Sequence, residues 1–329
     1  MWESSWITDK LLRDRDGARK WLSKKPLRRH WRNLMDQYKA GFVALVGQPN
    51  AGKSSFVNHF VGERVGIVTP KPQTTRKSVQ GIYTSSKGQI IFIDAPGRVK
   101  PSSTGLNGFL EKELESAIKE ADVLLAILNL DAPSVKEVGQ IISLCEQAKK
   151  SWIPVISKVD LKKYRHRIDI IKNLLPKRPF LFSVKKSLDK ECEGLLQQIF
   201  KCLPPSPGPL YGEEIFTTQN LRDWSAEIIR ETCFECLKQE IPYLLDVRIQ
   251  RFAEHDRKKP YVLAEVVLGK EKHKPIVIGS EAKKIKEIGL KARQKIERCL
   301  GKSIYLELHV KVQKNWFKNP FWLKELGYV

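Results

Sequence analysis

Eight residues constrain this chain more than any others: Gly47-Gln48-Pro49-Asn50-Ala51-Gly52-Lys53-Ser54. An apolar run, Phe42-Val43-Ala44-Leu45-Val46, precedes them and reads as a buried parallel strand. Ser55-Phe56-Val57-Asn58-His59-Phe60 follows and reads as the start of a helix. Gly47 and Gly52 permit backbone angles that a side chain disfavours, so successive N–H groups can turn inward around a triphosphate at the positive end of the helix. Lys53 then reaches the outer phosphates and the Ser54 hydroxyl binds Mg²⁺. Strand, loop and helix in this order, with Gly, Gly, Lys and Ser at fixed spacing, make a phosphate-binding loop.

The next stretches extend that reading. Thr69-Pro70-Lys71-Pro72-Gln73-Thr74-Thr75-Arg76 has two prolines and no hydrophobic period, a loop of the kind that carries function on a rigid scaffold. A threonine hydroxyl here, Thr74 or Thr75, can close onto the Mg²⁺; the expected ligand set gives the place to Thr74. Residues 79–83 and 90–93 read as a hairpin whose second strand ends in Asp94-Ala95-Pro96-Gly97. There a carboxylate can hold the metal through water, and the Gly97 N–H can meet the last phosphate. Alternating strands and helices continue through 111–120, 123–128, 135–150 and 153–156. Ser157-Lys158-Val159-Asp160 follows one strand, and Ser183-Val184 follows the next, 179–182. Alternation of this kind predicts a doubly wound parallel sheet with ligand loops at one edge. In that order the five loops are those of a guanine-nucleotide site: the Asp160 carboxylate can accept N1–H and the exocyclic amine of guanine, which adenine cannot supply, and the Lys158 stem can cover the ring.

Beyond this unit, Leu203-Pro204-Pro205-Ser206-Pro207-Gly208-Pro209 breaks regular structure and marks a boundary. The chain divides into a basic extension (1–40), a nucleotide domain (41–203), a linker (204–212) and a second domain (213–329). The last reads as a long helix over 213–239, strands over 244–252 and 261–268, helices over 281–287 and 290–300 separated at Gly289, a strand over 303–312 and a short helix over 320–326. That α-β-β-α-α-β plan, with a Gly-containing loop, resembles a KH domain of the second topology, which clamps a few nucleotides of single-stranded RNA.

Charge agrees with a polyanionic partner: 59 Lys and Arg against 37 Asp and Glu give +22. Residues 1–40 carry +6, 41–239 carry +7 and 240–329 carry +9, so the anion-binding surface is expected mostly at the two ends. In the extension, Pro26 can open a helix with Leu27, Trp31, Leu34 and Tyr38 on one face and Arg28, Arg29 and Arg32 elsewhere, suited to RNA, to an anionic membrane surface, or to packing on the body. Asp9, Asp14, Asp16 and Asp36 argue against an organelle import peptide. No apolar run approaches the roughly 18 residues of a membrane span, so a soluble or peripheral protein is expected. Cys233 and Cys236, three apart in a helix-like segment with no second pair, read as core thiols in a reducing compartment rather than a zinc site.

From about residue 41 to its end the chain resembles the Era family of GTPases. The resemblance is carried by 47–55, Gln73-Thr74-Thr75-Arg76, Lys283-Lys284-Ile285-Lys286-Glu287-Ile288-Gly289, Tyr305-Leu306-Glu307-Leu308-His309-Val310-Lys311-Val312, Lys314-Asn315-Trp316 and Leu326-Gly327-Tyr328. It implies an α/β P-loop NTPase sheet followed by an α+β KH domain of the second topology. The implied activity is GTP hydrolysis with Mg²⁺, coupled to binding small-subunit ribosomal RNA near its 3′ end during maturation of the small ribosomal subunit. The expected protein is a monomer in the cytoplasm, at the inner-membrane periphery or in an organelle matrix. By the same resemblance Lys53, Thr74, Asp94 and Gly97 serve catalysis; residues 47–55, Asp94, Gly97, Ser157, Lys158, Asp160, Ser183 and Val184 hold GTP or GDP; Ser54 and Thr74 hold the metal; and Gly279, Ser280, Lys283, Lys284, Lys286, Lys311 and Lys314 meet RNA.

Three departures shape the expectations. Ser157 stands where the family carries Asn, whose amide bonds both base and phosphate loop. Arg98 stands where relatives have an apolar residue, and nothing obvious orients the attacking water, so slow hydrolysis is expected. Gly279-Ser280-Glu281-Ala282 keeps one glycine of the KH loop and puts Glu281 where phosphates approach, so weak RNA binding is expected, with Lys283, Lys284 and Lys286 compensating. These departures also allow an alternative: a ribosome-associated RNA-binding scaffold whose nucleotide site is structural.

Overall fold

A computed structural model describes residues 38–328 apart from 70, 72–73, 99–103, 132–133, 187 and 255–258. The extension before residue 38, with its expected basic helix, lies outside the described residues, as does Gln73. The first domain runs β1 (Lys39–Gly47), α1 (Lys53–Val61), β2 (Val79–Ser85), β3 (Gly88–Asp94), α2 (Gly105–Glu120), β4 (Val123–Asn129), α3 (Val135–Gln147), β5 (Ser151–Ser157), α4 (Arg167–Asn173), β6 (Phe180–Phe182) and α5 (Asp189–Cys202). β3 and β4 are buried at every position, as strands covered on both faces must be. Alternate residues of β1 feed two cores. Val43 and Leu45 meet Phe56, Phe60 and Ile199 on one side; Ala44 and Val46 meet Leu114 and Ile141 on the other.

The sheet order is β2-β3-β1-β4-β5-β6, with only β2 antiparallel. After β1 the chain moves to one side, and at β4 it returns to the other, so the carboxyl end of β1 is the switch point where such sheets bind ligands. Register keeps the strand ends level: Leu45 lies abreast of Asp94, Gly47 of Ile127 and Asn129 of Ser157.

The second domain holds α6 (Leu221–Cys236), β7 (Leu245–Ala253), β8 (Tyr261–Leu268), α7 (Lys274–Ile278), α8 (Lys283–Leu300), β9 (Tyr305–Val312) and α9 (Pro320–Glu325), with sheet order β7-β8-β9. Two expectations are corrected here. α6 starts at Leu221 instead of 213, because Asn220 caps it by accepting from Asp223 N–H (2.8 Å); residues before it instead pair with the edge of β2, where Ile82 N–H donates to Phe216 O (2.9 Å). The paired helices are α7 and α8, separated by 279–282, and α8 runs unbroken through Gly289. Cys233 sits in the core against Leu245 and Val277.

Candidate functional site

The loop leaving β1 turns through Asn50 (φ 61°) and Gly52 (φ 91°, ψ 22°), the left-handed geometry that glycine adopts without strain, and delivers α1 with its amino end toward a cavity of about 720 Å³. Pro49, Asn50, Gly52, Lys53, Ser54 and Ser55 line that cavity, and an adjoining pocket of about 300 Å³ takes in Ala51, Ser157, Lys158, Asp160 and Val184. Lys53 is 6% exposed and donates to Gln48 O (3.0 Å) and Gly47 O (3.4 Å). Burial pushes its ammonium down to about 8, against the pull of the Asp94 carboxylate.

Asp94 is fully buried, with Oδ1 unpartnered. Burial raises its pKa, while Lys53 and hydrogen bonds from Ser54 and Thr75 oppose the rise. Ser54 Oγ lies 3.0 Å from Thr75 Oγ1, which lies 3.4 Å from Asp94 Oδ2. Two hydroxyls and one carboxylate, whose Oδ1 is left without a partner, form a hard-oxygen donor set that fits Mg²⁺. The threonine in this set is Thr75. The expected ligand, Thr74, is turned the other way: its hydroxyl meets Thr69 Oγ1 at 2.7 Å and donates to Lys71 O at 2.8 Å. Gly97 lines the cavity, but Arg98 does not enter it; the guanidinium donates to Gln140 O (2.7 Å) on α3.

At the base end, Ser183 Oγ donates to Asp160 Oδ1 (2.7 Å) and orients that carboxylate, while Val184 lies exposed at the rim. Ser157 Oγ donates to Ala51 O (2.7 Å), so the hydroxyl keeps the strap to the phosphate loop that an Asn amide provides. Lys158 pairs with Asp131 (2.9 Å), which also accepts from Asn129 Nδ2 (2.8 Å). Asn129, Asp131 and Lys185 line the cavity without having been expected; no motif marks them, and only the register of β4 against β5 brings Asn129 to Ser157.

The loop 67–77 also leaves the nucleotide domain. Arg76, 3% exposed, donates to Leu245 O (2.8 Å) and Tyr243 O (3.0 Å), lies 3.7 Å from Asp246, and stands 5.6 Å over the Trp316 ring. Glu231 on α6, 1% exposed, accepts from Val68 N–H (3.0 Å) and pairs with Arg64 and with Lys295 of α8 (3.0 Å).

In the second domain, Gly279 (φ 74°) is required by crowding as well as dihedral, since a Cβ would lie 2.8 Å from that of Lys284. Glu281 (φ 51°) and Ala282 (φ 58°) follow in the left-handed region, and Ser280 is exposed beside them. The lysines expected to compensate for Glu281 are partly committed. Lys283 pairs with Glu281 (2.9 Å) and Lys284 with Glu287 (2.7 Å), whose carboxyl Lys284 and Lys291 hold down to about 2. Lys286 and Lys314 are exposed, and Lys311 lies over the Trp322 ring. Trp316 is fully buried, with Nε1 donating to Leu244 O (3.1 Å), so it is a core residue.

Comparison with known proteins agrees with both halves. Residues 42–158 match the family model described as 50S ribosome-binding GTPase, and residues 240–317 match the KH domain model. The GTPase Era of Caldicellulosiruptor saccharolyticus is 37% identical over 297 residues, 88% of this chain and 98% of that protein. That of Lacticaseibacillus paracasei is 33% identical over 296 residues, with coverages of 89% and 98%. Among solved structures, a point variant of Aquifex aeolicus Era bound to GDP·AlF₄⁻ superposes with a TM-score of 0.81 at 33% identity, covering 88% of this chain and 99% of that one. Era in complex with MgGDPNP and nucleotides 1506–1542 of 16S ribosomal RNA gives the same TM-score and identity, with coverages of 89% and 99%.

Proposed function

The chain belongs to the Era family of GTPases, and from that premise we propose that it binds GTP and GDP with Mg²⁺, hydrolyses GTP, and engages small-subunit ribosomal RNA near its 3′ end during assembly of the small subunit. The observation that carries the reading is the convergence of Ser54, Thr75 and Asp94 beside Lys53 at the carboxyl edge of the sheet, with Asp160 oriented by Ser183 at the base end. Mg²⁺ held by Ser54, Thr75 and Asp94 would supply charge neutralisation at the outer phosphates. The chain supplies the remainder. Lys53 exchanges two backbone carbonyls for phosphate oxygens, the amides of the loop and α1 position the phosphates, and Asp160 selects guanine.

Hydrolysis by the isolated chain is slow, on the order of 10⁻⁴ s⁻¹ like an unassisted Ras-type site, because Arg98, the residue after Gly97, is held at Gln140 and orients no water. A monomer acting at the ribosome, in the cytoplasm, at a membrane periphery or in an organelle matrix, fits this reading; among the described residues no helix is long and apolar enough to cross a membrane. Measuring GTP against ATP affinity in magnesium buffer, then single-turnover hydrolysis with and without small subunits, tests it. Guanine selectivity and stimulated turnover are expected; equal uptake of ATP sinks it. The alternative, an RNA-binding scaffold with a structural nucleotide site, draws on the Ser157 contact and the position of Arg98. It requires that small subunits leave turnover unchanged.

A further inference from the structure

Averaged over its length, the stretch 41–239 is the least basic part of the chain, yet its charge is concentrated. Residues 161–190 hold ten Lys and Arg against two Asp, a net +8, while the remainder of 41–239 nets −1. The two ends still carry most of the net charge, and this segment adds a third concentration between them.

The fold gathers the segment in one place. It comprises the loop after β5, α4, β6 and the loops around β6, and β6 is the edge strand, pairing with β5 alone. Lys185 stands at the rim of the nucleotide cavity. Lys172, Lys177, Arg178 and Lys190 line two adjoining clefts of about 560 and 550 Å³ that share Lys177, Arg178, Pro179 and Glu191. All four cations are exposed. Lys177 donates to Trp152 O (3.3 Å) and lies 5.0 Å over the Trp152 ring, and Lys172 reaches Asp169 at 3.4 Å. Arg178 and Lys190 make no ion pair among the described residues. Glu191 is the opposing charge in both clefts, its carboxylate accepting from Leu181 N–H (3.3 Å).

A few lysines suffice to keep an edge strand from pairing with another chain; a net +8 in thirty residues goes well beyond that need. Basic side chains along concave clefts admit the ridge of a phosphodiester backbone. A flat lipid surface cannot enter them, and Ile170 and Leu174, the exposed apolar residues of this segment's helix and the turn after it, offer too little apolar area for insertion.

We propose that the β6 edge of the nucleotide domain, centred on Lys172, Lys177, Arg178 and Lys190, is a second RNA-binding surface that grips the phosphate backbone of duplex RNA. The inference rests on the RNA-binding reading above. It places duplex at the edge of the sheet opposite β2 and single strand at the KH loop, on the domain that packs against the loop 67–77 and α2.

The test uses the full chain and the variant K172Q/R178Q/K190Q, which leaves the contact of Lys177 with Trp152 in place. A blunt RNA duplex, a single-stranded ribosomal RNA 3′-end oligonucleotide and phosphatidylglycerol vesicles are titrated over a salt series. The variant is expected to lose at least about tenfold in duplex affinity near 0.1 M salt, with a log–log salt slope shallower by about two to three. Its binding of GTP and of the single strand stays unchanged, and K172R/R178K/K190R retains the parent slope. No duplex binding by the unaltered chain, or an unchanged slope in the variant, overturns the proposal; so does loss of vesicle binding with duplex binding intact, which assigns the face to lipid. Failure of the unaltered chain to bind the single strand refutes the KH reading instead, and the duplex arm still decides this one.

Discussion

Ser157 has one hydroxyl where the family's Asn has an amide with two ends, and that hydroxyl is occupied by Ala51 O. The base therefore loses a partner while the strap to the phosphate loop is kept. Ser157→Asn is expected to tighten guanine-nucleotide binding about tenfold, the worth of roughly one hydrogen bond, in a fluorescent-GDP titration, with ATP binding unaffected. Equal tightening for both nucleotides would show that the change acted through the loop. Lys53 makes a second prediction. With its folded pKa lowered to about 8 from an unfolded value near 10.4, the ammonium loses its proton between those limits, so stability contributed by this group rises with pH across that window. Phosphate binding requires the proton back, so GDP affinity should fall by up to about tenfold per unit above pH 8; an unchanged affinity between pH 7 and 9 would contradict it. The choice between Thr74 and Thr75 was not legible in the sequence, because neighbouring side chains in an extended loop point opposite ways and nothing in 67–77 anchors the alternation. The structure anchors it through Arg76.

At the scale of elements, the strands and longer helices of the nucleotide domain were legible because their periods are strong and their apolar runs long. The paired KH helices were not. α7 has five residues, with Pro275 in its first turn, too short to show a period, whereas Gly289 imitates a helix break within the eighteen residues of α8. A Cβ at Gly289 would meet Leu308 Cδ1 at 3.5 Å, an ordinary contact. Gly289→Ala should therefore stabilise the protein by about 0.4 to 1 kcal/mol, seen as a higher denaturant midpoint; a lower midpoint would mean that α8 cannot take the methyl. The loop 279–282 carries its own prediction. Glu281 holds Lys283 and occupies left-handed backbone, so Glu281→Gly both frees a cation and relieves the dihedral. Binding of the ribosomal RNA 3′-end oligonucleotide should improve several-fold, about 1 kcal/mol. No improvement would show that this loop does not meet the strand.

For the whole molecule, the sequence shows two domains but not how they touch, since the contacts depend on single polar residues without pattern. The structure makes the loop 67–77 a shared part. Arg76 is lodged among Leu245, Tyr243 and Asp246, and Glu231 ties Val68 and Arg64 to Lys295. Removing Glu231 leaves Arg64 partly in solvent and Lys295 still paired with Glu235 (2.6 Å), so the cost is about 1 to 3 kcal/mol. Glu231→Ala is expected to lower the melting temperature and to open the segment around Val68 to protease. A melting curve and cleavage pattern like those of the parent would remove the cluster from the account. The same wiring limits what motion near Thr75 can look like. A guanidinium and a carboxylate, both hidden from water, have no halfway position to occupy, so a shift at the magnesium end reaches the far domain as a snap between seated and unseated and not as a gradual tilt.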